Sequence, residues 1–89
     1  MFFIYILESE VNGSYYIGQT NNLEDRLKRH NQLRNRSTKA YAPWKLLHFE
    51  VYEKRSEAMK VEIYLKKLKK RSLVQKWIED QHRGVAQPG

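Results

Sequence analysis

Phe2-Phe3-Ile4-Tyr5-Ile6-Leu7, followed after Glu8 to Val11 by Asn12-Gly13-Ser14-Tyr15-Tyr16-Ile17-Gly18, is the stretch on which the fold turns. The first run is short, apolar and rich in β-formers, so it reads as a strand. Ser14 to Gly18 reads as a second strand. Asn12-Gly13 between them is the strongest short hairpin signal, because both residue types tolerate positive φ. Side chains alternate across a strand. With a loop of two or four residues, Tyr5 and Leu7 therefore share a face with Tyr16 and Gly18. The four-residue loop, Glu10 to Gly13, sets Tyr5 opposite Gly18 and Leu7 opposite Tyr16. Two phenols then stand beside a residue with no side chain, and such a face is either core or the floor of a cleft.

Downstream, Gln19-Thr20-Asn21-Asn22 breaks the strand and offers helix caps. Asn22 suits the N-cap, with Glu24 and Asp25 in a first turn that favours acids. Leu23 and Leu27 give this helix a narrow apolar stripe. His30 sits beside Leu23 on the helical wheel, and Arg26, one turn before His30, lies on the rim. Arg34 to Ala42 is a polar, basic connector. From Pro43 a third strand is expected through Tyr52, with Leu47, Phe49 and Val51 on one face. Ser56 is the expected cap of a second helix buried through Ala58, Val61, Leu65 and Leu68, with Glu62 at the edge of that stripe. Lys66 to Arg71 would close it with cations at its negative end. Ser72 would cap a short third helix that closes over the sheet with Leu73, Val74, Trp77 and Ile78. The domain is expected over residues 1–80, and 81–89 read as a flexible tail.

Eighty-nine residues suit one small domain. Lys and Arg number 17 against 10 Asp and Glu, a formal charge of +7. That imbalance favours an anionic partner, nucleic acid ahead of a membrane surface. Cysteine is absent, which excludes disulfides and thiolate metal sites and is in keeping with a reducing compartment. The apolar start is too short for a signal peptide or a membrane span, so a cytoplasmic location is expected.

Phe3-Ile4-Tyr5 and Tyr16-Ile17-Gly18, the run Leu23 to Asn31, and Arg55 to Leu68 together resemble the GIY-YIG nuclease domain family in order and spacing. Ser37-Thr38-Lys39 and Pro43-Trp44-Lys45-Leu46 are similar to its small stand-alone members, relatives of the nuclease domain in the excision-repair incision subunit. The likeness covers roughly residues 2–80. It implies an α/β (α+β) domain, a small three-stranded antiparallel sheet flanked by three helices. It also implies a divalent-metal-dependent endonuclease acting on DNA, duplex or branched and with low sequence specificity, in repair or recombination. By the resemblance the two motif tyrosines fall on Tyr5 and Tyr16, the motif glycine on Gly18, the helix arginine on Arg26 and the helix histidine on His30. The metal-binding glutamate, for one Mg²⁺ or Mn²⁺, falls on Glu62. Phe3 stands where the first motif has glycine. No asparagine follows Asn35, so the C-terminal asparagine of many members has no counterpart.

These residue types suit phosphodiester cleavage, which needs an in-line nucleophile, a positive clamp on the phosphoryl oxygens and help for the departing oxygen. Arg26 offers a planar, always charged clamp. Tyr5, with Tyr16 or His30, would orient or deprotonate water. To act as a base a phenol must be brought down from about 10 by nearby cations or by the metal, and Arg26 and Lys39 are the obvious candidate cations. Arg34, Arg36, Lys39, Lys66, Lys69 and Lys70 read as a nonspecific phosphate footprint. Each residue also has an ordinary reading. The tyrosines would be half-buried strand residues, Arg26 a solvated charge, His30 an edge-of-core imidazole, and Glu62 the i,i+4 partner of Lys66. Glu57 is a rival metal ligand whose position capping already explains. A nucleic-acid-binding domain without turnover, or a purely structural module, are the alternatives in function.

Overall fold

The central strand of the sheet is β1, Phe2–Ser9, and its apolar run follows from that place. The computed structural model describes residues 1–32 and 38–86, with side chains as far as Gln81. Strand order is β2-β1-β3, with β2 (Tyr15–Thr20) and β3 (Trp44–Tyr52) both antiparallel to β1. Ile4, Tyr5, Ile6 and Leu7 are each at most 1% exposed, so both faces of β1 are covered and no polar alternation survives. Around the sheet lie α1 (Leu23–Asn31), a single 3₁₀ turn (Lys39–Tyr41), α2 (Arg55–Leu68) and α3 (Arg71–Ala86).

Ile4 and Ile6 pack on Ala58 and Leu65 of α2 and Val74 and Ile78 of α3. Tyr5 and Leu7 point the other way, to Trp44 and to Leu23 and Leu27 of α1. Burial of these side chains, each worth about 1.5–3 kcal/mol, is what holds the two helical layers to the sheet.

The hairpin register is the one a four-residue loop dictates, with Tyr5 opposite Gly18 and Leu7 opposite Tyr16. Of Asn12 and Gly13, only Gly13 uses positive φ, at 74°. Asn12 instead accepts from the Ser14 N–H (3.0 Å) and hydroxyl (2.7 Å) through its side-chain oxygen. Gln19 and Thr20 do not break the strand. They go on pairing, with Ile4 and Phe3. Asn22 caps α1 as expected, its Oδ1 accepting from the Asp25 N–H at 3.0 Å.

Other expectations are corrected. A bulge in β3 pairs Ile6 with His48 but Leu7 with Leu46, so Leu47 is the extra residue. Parity flips there: Leu47 joins the α2–α3 side, whereas Phe49 and Val51 remain 45% exposed. The N-cap of α2 is Lys54 rather than Ser56, because Glu57 in the first turn accepts from the Lys54 N–H at 3.3 Å. Glu57 is thereby a capping residue. Lys69 takes a left-handed φ of 57° that ends α2, so Arg71 opens α3 instead of closing α2. The N–H groups of Leu73 and Val74 point to the Lys70 carbonyl, which puts Ser72 inside α3 rather than at its cap. Leu73 is 42% exposed, and Val74, Trp77 and Ile78 do the packing. The third helix runs to Ala86, well past residue 80.

Candidate active site

Gly18 lies flat opposite Tyr5, and a Cβ built on it would stand 2.4 Å from the Tyr5 hydroxyl oxygen and 2.5 Å from Cζ. The absent side chain lets the Tyr5 ring cross the backbone of the edge strand β2. There the phenol meets α1. Its hydroxyl lies 3.1 Å from Nε2 of the fully buried His30, and the Arg26 guanidinium is near enough for its charge to act on the phenol. On the far side of the imidazole, Nδ1 is 2.9 Å from the Thr38 hydroxyl. In the tautomer that gives its Nδ1–H to the Thr38 hydroxyl, Nε2 accepts the phenol proton. Tyr16, on the same face, packs against His30 with ring centroids 4.7 Å apart and the rings tilted by 59°.

Burial pushes Tyr5 up to about 12, with the neighbouring Tyr16 phenol adding to it. The Arg26 guanidinium pulls the other way with a smaller effect, and Lys39, exposed on the 3₁₀ turn, is not among the causes. The expected depression of Tyr5 by these cations does not occur. His30 is lowered, first by burial and then by the Arg26 charge. At neutral pH both groups are therefore uncharged.

The charge of Glu62 adds the smallest of the upward effects on Tyr5. Its side chain is 21% exposed and pairs with Lys66 at 2.9 Å, so the ordinary reading of Glu62 holds at the same time. A lone carboxylate suits Mg²⁺ or Mn²⁺, hard cations that keep most of their waters and accept one or two protein oxygens. Among the described residues no three His, Cys, Asp or Glu side chains cluster for an all-protein metal cage.

Arg26 faces a recess of about 210 Å³ that it shares with Arg55, Thr20 and Asn21. Two arginines thus line one recess, and planar guanidiniums are the side chains that suit phosphate oxygens. Of the footprint cations, Lys66, Lys69 and Lys70 line one cleft where α2 meets α3, and Lys39 is exposed elsewhere. Arg34 and Arg36 lie outside the described residues.

Sequence reasoning missed Thr38, Asn31 and Arg55. Thr38, 1% exposed, fixes His30 and accepts the Trp44 indole N–H at 2.9 Å through its carbonyl. Asn31 clamps the start of β3, giving 3.0 Å to the Trp44 carbonyl and accepting 2.6 Å from its N–H. A threonine in a basic connector carries no burial signal, and the quoted Ser37-Thr38-Lys39 likeness was its only trace.

The two shifts fix a pH dependence. Unfolded, His30 takes a proton near 6.5. Folded, it resists, so below that pH the unfolded chain binds more protons and stability falls until the lowered folded value is passed. Unfolded tyrosine ionises near 10 and folded Tyr5 near 12, so stability also falls as pH climbs from about 10 to about 12. Thermal melts across both windows check this. Tyr5→Phe is expected to shrink the alkaline limb, to which Tyr52, also raised by burial, contributes, and to leave the acid limb in place.

Residues 1–76 match the profile of the GIY-YIG catalytic domain. A UPF0213 protein of Bacillus licheniformis is 39% identical over 82 residues, which cover 91% of this chain and 82% of that protein. A UPF0213 protein of Clostridium perfringens is 41% identical over 76 residues, 84% of this chain and 81% of the relative. The solution NMR structure of a UPF0213 protein from Bacillus halodurans superposes with a TM-score of 0.54 at 31% identity, over 84% of this chain and 81% of that one. Among the described residues no helix is long and apolar enough to cross a membrane.

Proposed function

The chain belongs to the GIY-YIG catalytic domain family, a nuclease family, and from that premise we propose that it is a divalent-metal-dependent endonuclease hydrolysing DNA phosphodiester bonds. The observation that carries this reading is the junction of Arg26, Tyr5 and His30, with the Glu62 charge within reach of the same phenol. Arg26 and Arg55 would hold two oxygens of the scissile phosphate in their shared recess. Tyr5 would bind the attacking water through its oxygen. A phenol held protonated takes the water's proton only by giving up its own, and the neutral His30 Nε2 is the acceptor beside it. Thr38 steadies the imidazole for that transfer. Attack on phosphorus then breaks the bond to the 3′ oxygen and leaves a 5′ phosphate. One Mg²⁺ or Mn²⁺ on Glu62 would supply positive charge for that departing oxygen.

The test is supercoiled plasmid and branched DNA incubated with the protein, in Mg²⁺, in Mn²⁺ and in chelator. Nicking that requires the metal is expected. Salt-sensitive binding without nicking would instead favour a domain that keeps the fold and has lost turnover, and no binding at moderate salt would remove DNA as the partner.

A further inference from the structure

The outer strand β3 has an open edge, and the direction of its backbone groups follows from the pairing of β1. Ser9 gives its N–H to the Ser14 carbonyl at 2.8 Å and takes the Gly13 N–H at its own carbonyl at 2.9 Å. The odd residues of β1 therefore turn their backbone toward β2 and the even ones toward β3. On β3 the residues opposite odd positions turn theirs outward: Trp44, Leu46, Phe49 and Val51. Asn31 occupies both groups of Trp44 with its side-chain amide. Among the described residues, those of Leu46, Phe49 and Val51 meet no partner. An edge of this kind is a template for another strand. The side chains of the same residues add an apolar margin. Phe49 and Val51 are each 45% exposed, and Leu46 and Phe49 line an apolar groove of about 500 Å³ with Phe3, Leu23 and Leu27.

The bulge decides which strand fits. Along a regular strand the outward-facing residues alternate, but Leu46 and Phe49 are one residue further apart because Leu47 is the extra residue. A regular strand laid along this edge falls out of step there, which is one way an edge is protected. A second copy of β3 running antiparallel carries the same long step in the same place. With Leu46 opposite Phe49 of the second copy, each exchanging both its hydrogen bonds, the side chains of the two copies stay on matching faces from Trp44 to Val51. That register also sets Lys45 opposite Glu50 of the second copy, twice by symmetry, at the close spacing of a non-hydrogen-bonded pair. A register centred on His48 or Phe49 loses the match of faces at Leu47, and one centred on Glu50 puts two carboxylates opposite each other. Asn31, already seated on Trp44, ends the new ladder beyond these pairs.

We propose that two copies of this chain pair through β3 in that register, joining their sheets into one. The ring of Tyr5 reaches its partners across β2, the opposite edge, so the pairing leaves both candidate sites open and does not depend on the nuclease reading. Sedimentation velocity over a concentration series tests it at moderate salt, where the repulsion between two chains of charge +7 is screened. The wild type is expected to pass from monomer to dimer as concentration rises. Lys45→Glu and Glu50→Lys are each expected to weaken the dimer by about tenfold or more, since each puts like charges opposite one another at both places. The two side chains are 58% and 30% exposed, and melts establish that the variants fold. Mixed in equal amounts, the variants are expected to associate again, because opposite charges then face each other at both places in the mixed dimer. A wild type that stays monomeric up to millimolar concentration, a dimer that both variants retain, or variants that mixing does not rescue would each overturn the proposal.

Discussion

Gly18→Ala is expected to cut DNA cleavage by about a hundredfold or more while leaving a folded protein. The new methyl would sit 2.4 Å from the Tyr5 hydroxyl oxygen, 2.5 Å from Cζ and 2.9 Å from a ring carbon. Tyr5 belongs to the central strand and is 1% exposed, so the ring has no solvent to swing into. It must tilt toward Tyr16 or His30, or β2 must move outward. Either response breaks the 3.1 Å contact to Nε2 on which proton transfer would depend. Overpacking of this kind costs about 1–3 kcal/mol of stability, which denaturant titration would read. The decisive measurement is a double-mutant cycle. In a Tyr5→Leu background the methyl meets a shorter side chain, and its stability cost should shrink by about 0.5–3 kcal/mol. Full activity in Gly18→Ala would mean that the ring does not need this place.

The Tyr5–Gly18 pairing was legible as one of the two registers that a two- or four-residue loop allows, and the molecule adopts the four-residue one. Arg26 and His30 were legible through their one-turn spacing and the family likeness, and Asn22 through its capping chemistry. Other features depend on contacts far apart in the chain. The Leu47 bulge is a shift of register against Ile6 and Leu7 of β1, and no local pattern announces the flip between Leu46 and His48. Thr38 becomes buried only because Trp44 and His30 close on it from two elements. The Tyr5 pKa runs opposite to expectation for the same reason. Counting nearby cations gives the sign of the Arg26 effect, but burial, which outweighs it, exists only in the folded molecule. Similarly, Lys69 to Arg71 read as the end of one helix because nothing local reveals the left-handed turn that hands Arg71 to the next.

Glu62→Gln is expected to lower cleavage by about three orders of magnitude at saturating DNA, the scale of a lost metal-borne charge at a departing oxygen. Its effect on the fold should be small. The carboxylate's observed partner is Lys66, a pair with side chains 21% and 56% exposed, and such pairs are worth at most about 1 kcal/mol. DNA affinity in chelator should hold or rise slightly, since a negative charge is removed from a chain that already carries +7. A defect in turnover with binding intact separates a metal ligand from a merely structural acid, because loss of the Lys66 pair alone would touch neither. One further readout needs no metal. Glu62 raises the Tyr5 pKa, so the glutamine variant should ionise Tyr5 at lower pH and lose less stability on the alkaline limb. An unchanged alkaline limb would put the carboxylate out of reach of the phenol. Cleavage that persists undiminished in Glu62→Gln would deny Glu62 the metal-binding role, or show that the nicking comes from a contaminant.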